Sequence, residues 1–331
     1  MRESSFGHWI VPGLGYAMRI VSLLPSATEI LFALGLDREI VGVSHECDFP
    51  AQARSKPVVI HSRLPQGASP VEIDRLVREY VSRGESLYSV DVEKLEKLHP
   101  DLIITQDLCH VCAASPDDLA TALTRFDRRP EVLTLNPRDL GDVWRDILLV
   151  GEAACRGLQA EALVAEIGKR QGILGRQLNP SGRRPRVAFL EWLEPIYVGG
   201  HWVPEMIRCA GGEDAIGGAR KPSFRVHLQD VVEAKPDFLL VAPCGYSGKQ
   251  ARQEYESLAL PDQWNAIPAV QNNRVYALEA SSYFSRPGPR LVTGIEILAK
   301  VFDPSITVSA EAESAILRIP SERAARRAAS V

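Results

Sequence analysis

VEKLEKLHPDLIIT at residues 92–105 and LQDVVEAKPDFLLV at residues 228–241 share one form. Each reads as a short helix, a His or Lys, a Pro-Asp pair and an apolar strand. Pro100 falls on Pro236 and Asp101 on Asp237, at a constant offset of 136. Proline cannot continue a helix and biases the residue before it toward extended backbone, so the helix ends there and the strand follows at once. One device used twice predicts two lobes of like topology.

The flanking sequence agrees. RIVSLLP (19–25), IVGVSH (40–45), PVVIH (57–61), DLIITQ (101–106) and EVLTLN (131–136) are short apolar runs. Such runs, separated by helices, are the mark of a parallel sheet covered on both faces. Ser26, three residues before Glu29, reads as the N-cap of a capping box. The second half repeats the plan with strands PRVAFLEW (185–192), DFLLVAP (237–243) and RVYALEA (274–280), and with helices VPEMIRCAGG (203–212) and PRLVTGIEILAKVF (289–302). Between the halves, apolar residues at 140, 143, 144, 147 and 150 give one helix. LQAEALVAEIGKRQGILGRQL gives a second, about 30 Å long at 1.5 Å per residue. The expected fold is α/β: two similar lobes with mainly parallel sheets, joined by a long rigid helix, with a ligand cleft between them. Its parts are an N-terminal extension (1–17), lobes at 18–137 and 185–303, a helical connector (138–184) and a flexible tail (304–331).

Composition excludes several classes. The 331 residues are 45% hydrophobic and 24% charged with a net charge of −4, so no basic field invites nucleic acid. No apolar run approaches the length of a membrane span. Six cysteines are too few for a disulfide scaffold at this length. Cys155 and Cys209 fall within apolar helix patterns and read as core. Pro12, Gly13 and Gly15 interrupt the apolar run of residues 1–17, unlike the continuous core of a signal peptide. A cytoplasmic location is therefore expected, with a periplasmic or extracytoplasmic one if that segment acts as a signal.

In open parallel sheets, ligands sit beyond the carboxyl ends of the strands. The residues found there form the candidate ligand-binding set: Ser26, His45, Glu46, Asp48, Gln106, Glu191, Trp192, His201, Trp202, Tyr283, Phe284 and Arg286. The four aromatics suit stacking on a flat ligand or, equally, packing between lobes. Glu191 is an acid–base candidate or a solvated carboxylate, and Arg286 an anion holder or a loop cap. His45, Cys47, Cys109, Cys112 and Cys244 also fall at strand ends, where they would make a zinc or iron site, a thiol cluster or plain cleft lining. No dinucleotide fingerprint, phosphate loop or nucleophile elbow occurs, so no catalytic residue is assigned and no enzyme is expected.

SLLPSATEILFALGL, VGVSHECDFP, LEKLHPDLIIT and AGGEDAIGG resemble the substrate-binding proteins of ABC importers for cobalamin and iron chelates. The likeness covers about 18–303. TQDLCHVCAAS, LEWLEPIYVGGHWVPEM, VAPCGY and YFSRPGPRLV further resemble a cysteine-bearing, signal-less subgroup often labelled cobalamin-binding. The resemblance implies two α/β lobes on a helical backbone, a small-molecule ligand between them and an ABC permease as partner. It also implies docking through one acidic residue per lobe. Glu93 matches the first position, whereas the second holds Gln229 with Asp230 beside it, a departure from the family pattern. Two function classes stay open. One is a binding protein for cobalamin, another corrinoid or a metal chelate. The other is a cytoplasmic zinc, iron or thiol-dependent protein that uses the His/Cys cluster. A vestigial cleft in an interaction module is a third reading.

Overall fold

The computed structural model describes residues 17–65, 67–107, 119, 122–178 and 182–320. The first lobe is built on β1 (Ile20–Ser22), β2 (Ile40–Ser44), β3 (Val58–Ser62), β4 (Tyr88–Val90), β5 (Leu102–Gln106) and β6 (Glu131–Leu135). Their order across the sheet is β4-β3-β2-β1-β5-β6. All neighbours are parallel except β3 and β4. Alternation along β1 sends Ile20 and Val21 to opposite faces, each into its own apolar cluster. Helix α1 (Pro25–Ala33) covers one face; α2 (Pro70–Ser82) and α3 (Val92–Lys97) follow β3 and β4.

The repeated Pro-Asp has a structural reason. Asp101 Oδ2 accepts the Arg19 backbone N–H at 2.9 Å, and Asp237 Oδ2 accepts that of Arg186 at 2.9 Å. In return Arg19 Nε donates to Leu98 O at 2.7 Å, and Arg186 Nε to Ala234 O at 3.0 Å. Each arginine opens the first strand of its lobe. The aspartate and the helix-end carbonyl before it thus lock that strand beside the next one.

The second sheet holds β7 (Arg186–Leu193), β8 (Ile196–Val198), β9 (Glu213–Asp214), β10 (Phe224–Arg225), β11 (Phe238–Val241), β12 (Val275–Ala277) and β13 (Leu317–Ile319). The order is β10-β8-β7-β11-β12-β13, with β9 beside β7. Only β9, β7, β11 and β12 pair in parallel; β8, β10 and β13 make antiparallel edges. Val187 and Phe189 enter one core cluster, Ala188 and Leu190 the other. Helices α6 (Val203–Cys209), α7 (Leu228–Ala234), α8 (Gly248–Ser257), α9 (Pro268–Gln271), α10 (Ala280–Tyr283), α11 (Leu291–Phe302) and α12 (Ala310–Ser314) complete the lobe.

Between them run α4 (Leu140–Ala153) and α5 (Gly157–Gln177). Leu140, Val143 and Leu174 pack into the second-lobe core, while Ile147, Val150, Ala160 and Ile167 pack into the first. Arg170 Nε donates to Glu296 Oε1 on α11 at 2.9 Å. The connector is therefore held along its length by both lobes.

Two expectations need correction. The tail does not begin at 304: α12 and β13 extend the second lobe, and Ile319 is 2% exposed where β13 closes against β12. Ser26 caps nothing, because α1 starts at Pro25 with Leu24 as N-cap and no side-chain cap. Proline takes the first helical position, and the Glu29 carboxylate is drawn instead to Arg286 and Arg290.

Candidate functional site

Strands β1, β2, β5, β11 and β12 all point their carboxyl ends at one cleft of about 590 Å³ between the sheets. The first lobe supplies Ser26 at the start of α1, the loop His45-Glu46-Cys47-Asp48 after β2, and Gln106 at the end of β5. The second lobe supplies Cys244 and Gly245 after β11, and Ser281, Ser285, Arg286 and Pro287 after β12. Eight residues singled out from sequence therefore line this cleft: Ser26, His45, Glu46, Cys47, Asp48, Gln106, Cys244 and Arg286.

His45 is pre-set within it. Its Nδ1 lies 3.2 Å from Ile60 O, which only a protonated nitrogen can satisfy. In the neutral ring Nε2 then carries the lone pair, the tautomer a metal ligand requires. Glu46 Oε1 stands 3.8 Å from Nε2, and the Tyr88 ring lies 6.2 Å away at 50°.

Cys47 is different. Its sulfur is buried and sits 3.0 Å from Thr28 Oγ1, which also lies 2.8 Å from Ser22 Oγ and 3.3 Å from Leu24 O. Burial pushes the thiol up to about 11, against the smaller pull of the Thr28 contact. A neutral, locally bonded thiol is a poor metal ligand. Cys244 is exposed on the opposite wall. Cys109 and Cys112 lie outside the described residues. Among the described residues no group of three or more His, Cys, Asp or Glu is placed to hold a metal ion.

The aromatic expectation is corrected in part. Trp202 and Phe284 are 5% and 1% exposed, and Trp202 Nε1 donates to Phe284 O at 2.8 Å. Both rings belong to the second-lobe core and offer no face to a ligand. Trp192, Tyr283, Glu191 and His201 also stand outside the cleft lining. Trp192 meets Tyr246 edge-on at 5.8 Å. Tyr283 Oη lies 3.0 Å from Glu311 Oε1. His201 stacks on Trp202 at 5.5 Å, and burial followed by the nearby Arg138 charge lowers its pKa. Glu191 accepts a bond from the Ser223 hydroxyl. Burial nonetheless raises its carboxyl to about 7, against the opposing Ser223 and Gly200 bonds. The carboxyl group is thus half-buried and bonded to Ser223, rather than freely solvated at a lobe edge.

Sequence reasoning passed over several wall residues, Tyr88 and Arg54 among them, and one support. Tyr88 sits on the three-residue edge strand β4, and Arg54 in a 3-10 turn (Ala51–Ser55) beside the Asp48 loop. Glu29 lies behind the wall, joined to Arg286 and Arg290. The alternation of SLYSV between Gly84 and Asp91 was the available signal for Tyr88.

Two α/β lobes, a connector clamped to both and a polar cleft at the facing strand ends define a bilobal solute-binding protein. The chain belongs to the periplasmic binding protein family, whose family model matches residues 20–281. It is 27% identical over 296 residues to the uncharacterized ABC transporter substrate-binding lipoprotein YvrC of Bacillus subtilis, covering 86% of this chain and 80% of that one. It is 25% identical over 298 residues to the vitamin B12-binding protein of Vibrio vulnificus, covering 86% and 89%. Among solved structures, a periplasmic heme-binding protein from Pseudomonas aeruginosa superposes with a TM-score of 0.68 at 20% identity, covering 92% of this chain and 98% of that one. These relatives are binding proteins rather than enzymes. The family is that of ABC importer substrate-binding proteins, which implies a small-molecule ligand and a permease partner. No helix among the described residues is long and apolar enough to cross a membrane. The expected cytoplasmic location is overturned: the similar proteins are a transporter lipoprotein and periplasmic binders, which are extracytoplasmic.

Proposed function

We propose that this chain captures a corrinoid, heme or other iron chelate in the cleft and delivers it to an ABC permease. The observation that carries this reading is His45, which lines a polar interlobe cleft with its Nδ1 bonded to Ile60 O and so leaves Nε2 as the ring nitrogen available to a ligand. Nε2 would ligate the metal of the bound chelate. Ser26, Gln106 and Arg286 would bond its periphery, with Glu46 and Asp48 setting the charge around it. The relatives named for vitamin B12 and heme support this ligand class.

Permease docking would fall on Glu93 and on Gln229 with Asp230. Glu93 and Gln229 are each the second residue of a helix, α3 and α7, and both are exposed. Asp230 Oδ2 is engaged by the His227 backbone N–H at 2.7 Å, so the second lobe presents a neutral amide more readily than an acid.

Absorbance titration of the full chain with hemin, cyanocobalamin and ferric citrate tests the reading. At least one should bind with a Kd of about 10 μM or tighter, and His45→Ala should change the bound spectrum. Failure of all three to bind would remove the proposal.

A further inference from the structure

We propose that Arg54 and Arg286 form a clamp for a carboxylate of the ligand, and that Asp48 is a built-in stand-in which the ligand must displace. This rests on the capture reading above and narrows its ligand to the carboxylate-bearing class.

The geometry comes from three side chains on the cleft wall. Arg286 Nη1 donates to Asp48 Oδ1 at 2.6 Å, and the second oxygen, Oδ2, lies 3.8 Å from Arg54 Nη2. One carboxylate thus sits between two guanidinium groups that come from different lobes. Guanidinium planes recognise carboxylates in this manner, and the bonds are charge-assisted.

Arg286 is the fixed half of the clamp. Its side chain is 15% exposed, and Nη2 also donates to Glu46 O at 3.2 Å. Its contact with Glu29 is long, 3.4 Å, because Arg290 already holds both Glu29 oxygens at 2.8 and 2.6 Å. The short bond available to Arg286 is therefore the one to Asp48. Asp48 is the yielding half, with 42% of its side chain exposed. Arg54 is more exposed still and reaches Asp48 O only at 3.4 Å. An incoming carboxylate would take the Asp48 position while Asp48 turned to solvent. A ligand without such a group gains nothing from the exchange.

Hemin and hemin dimethyl ester share one ring and one metal and differ only in their free carboxylates. Both are titrated, with ferric citrate and cyanocobalamin, against the full chain, Asp48→Asn and Arg54→Ala. Arg54 is exposed, so Arg54→Ala removes its half of the clamp without disturbing the core. Hemin or ferric citrate should bind Asp48→Asn about tenfold tighter and Arg54→Ala about tenfold weaker than the parent, with the ester unmoved. Equal affinity for hemin and its ester overturns the clamp. Unchanged or weaker carboxylate binding to Asp48→Asn does so too. Binding of cyanocobalamin alone overturns the clamp and leaves the capture reading standing, whereas binding of none of the four removes both.

Discussion

Arg290 grips Glu29 across the lobe boundary, with Nε 2.8 Å from Oε2 and Nη2 2.6 Å from Oε1. The pair is bidentate, and the Glu29 side chain is only 3% exposed. The Arg290 guanidinium also lies over the Phe49 ring, 3.9 Å from its centroid. Removing one partner of a buried pair leaves the other charge without compensation. Glu29→Gln should therefore lower the unfolding free energy by about 3–5 kcal/mol. The double change with Arg290→Met should cost less than the two single changes together. Urea unfolding followed by circular dichroism reads both. A loss under about 1 kcal/mol for Glu29→Gln would mean the pair behaves as a surface bridge.

The connector depends on close helix contact at one point. A Cβ on Gly151, near the end of α4, would overlap the Ala160 methyl on α5 and lie 3.2 Å from Arg156 O. Neither neighbour is the far end of a flexible chain. Gly151→Ala should destabilise by about 1–3 kcal/mol, the cost of overpacking a tight core, and Gly151→Val by more. A thermal melt no lower than that of the parent would show that the helices part freely.

Cys47 and Cys155 should react at very different rates. Burial raises the Cys47 thiol to about 11, whereas Cys155, expected in the core from its helix pattern, is exposed. At pH 8 the thiolate fraction of Cys47 is roughly a hundredth of that of an ordinary thiol, and access lowers the rate further. Timed iodoacetamide labelling with peptide mass spectrometry should show Cys155 modified and Cys47 protected. Equal labelling would mean the Cys47 loop opens readily.

The Pro-Asp strand entries were legible because a local signal, a proline ending a helix just before an apolar run, occurs twice. Asp101 meets Arg19, and Asp237 meets Arg186, wherever a first strand lies beside the strand that Pro-Asp introduces. Strand ends marked the cleft for the same reason: parallel order fixes which end faces the other lobe. Glu29 was not legible. Its spacing from Ser26 satisfies a local cap, yet its partners lie 257 and 261 residues away. Trp202 and Phe284 follow strands as ligand residues do, and only packing decides that their rings turn inward. Edge strands β10 and β13 have two and three residues, too few for a period to show.

Asp146 should give stability an unusual pH dependence. It lies on the buried face of α4, and its Oδ2 has no hydrogen-bond partner. Burial, with a smaller push from Asp142, raises its carboxyl to about 7. The folded chain thus keeps a proton that the unfolded chain releases at the ordinary carboxylate value of 3.8. Between those two pH values the native state binds more protons, so stability falls as pH rises, and above about 7 the full loss has been incurred. The ceiling is about 4 kcal/mol at 1.36 kcal/mol per unit. Asp146→Asn removes the titration. Its advantage over the parent should therefore grow from pH 5 to pH 8 by about 2–3 kcal/mol in urea unfolding. A difference that stays constant across that range would show that water or a rearranged neighbour already satisfies the carboxylate.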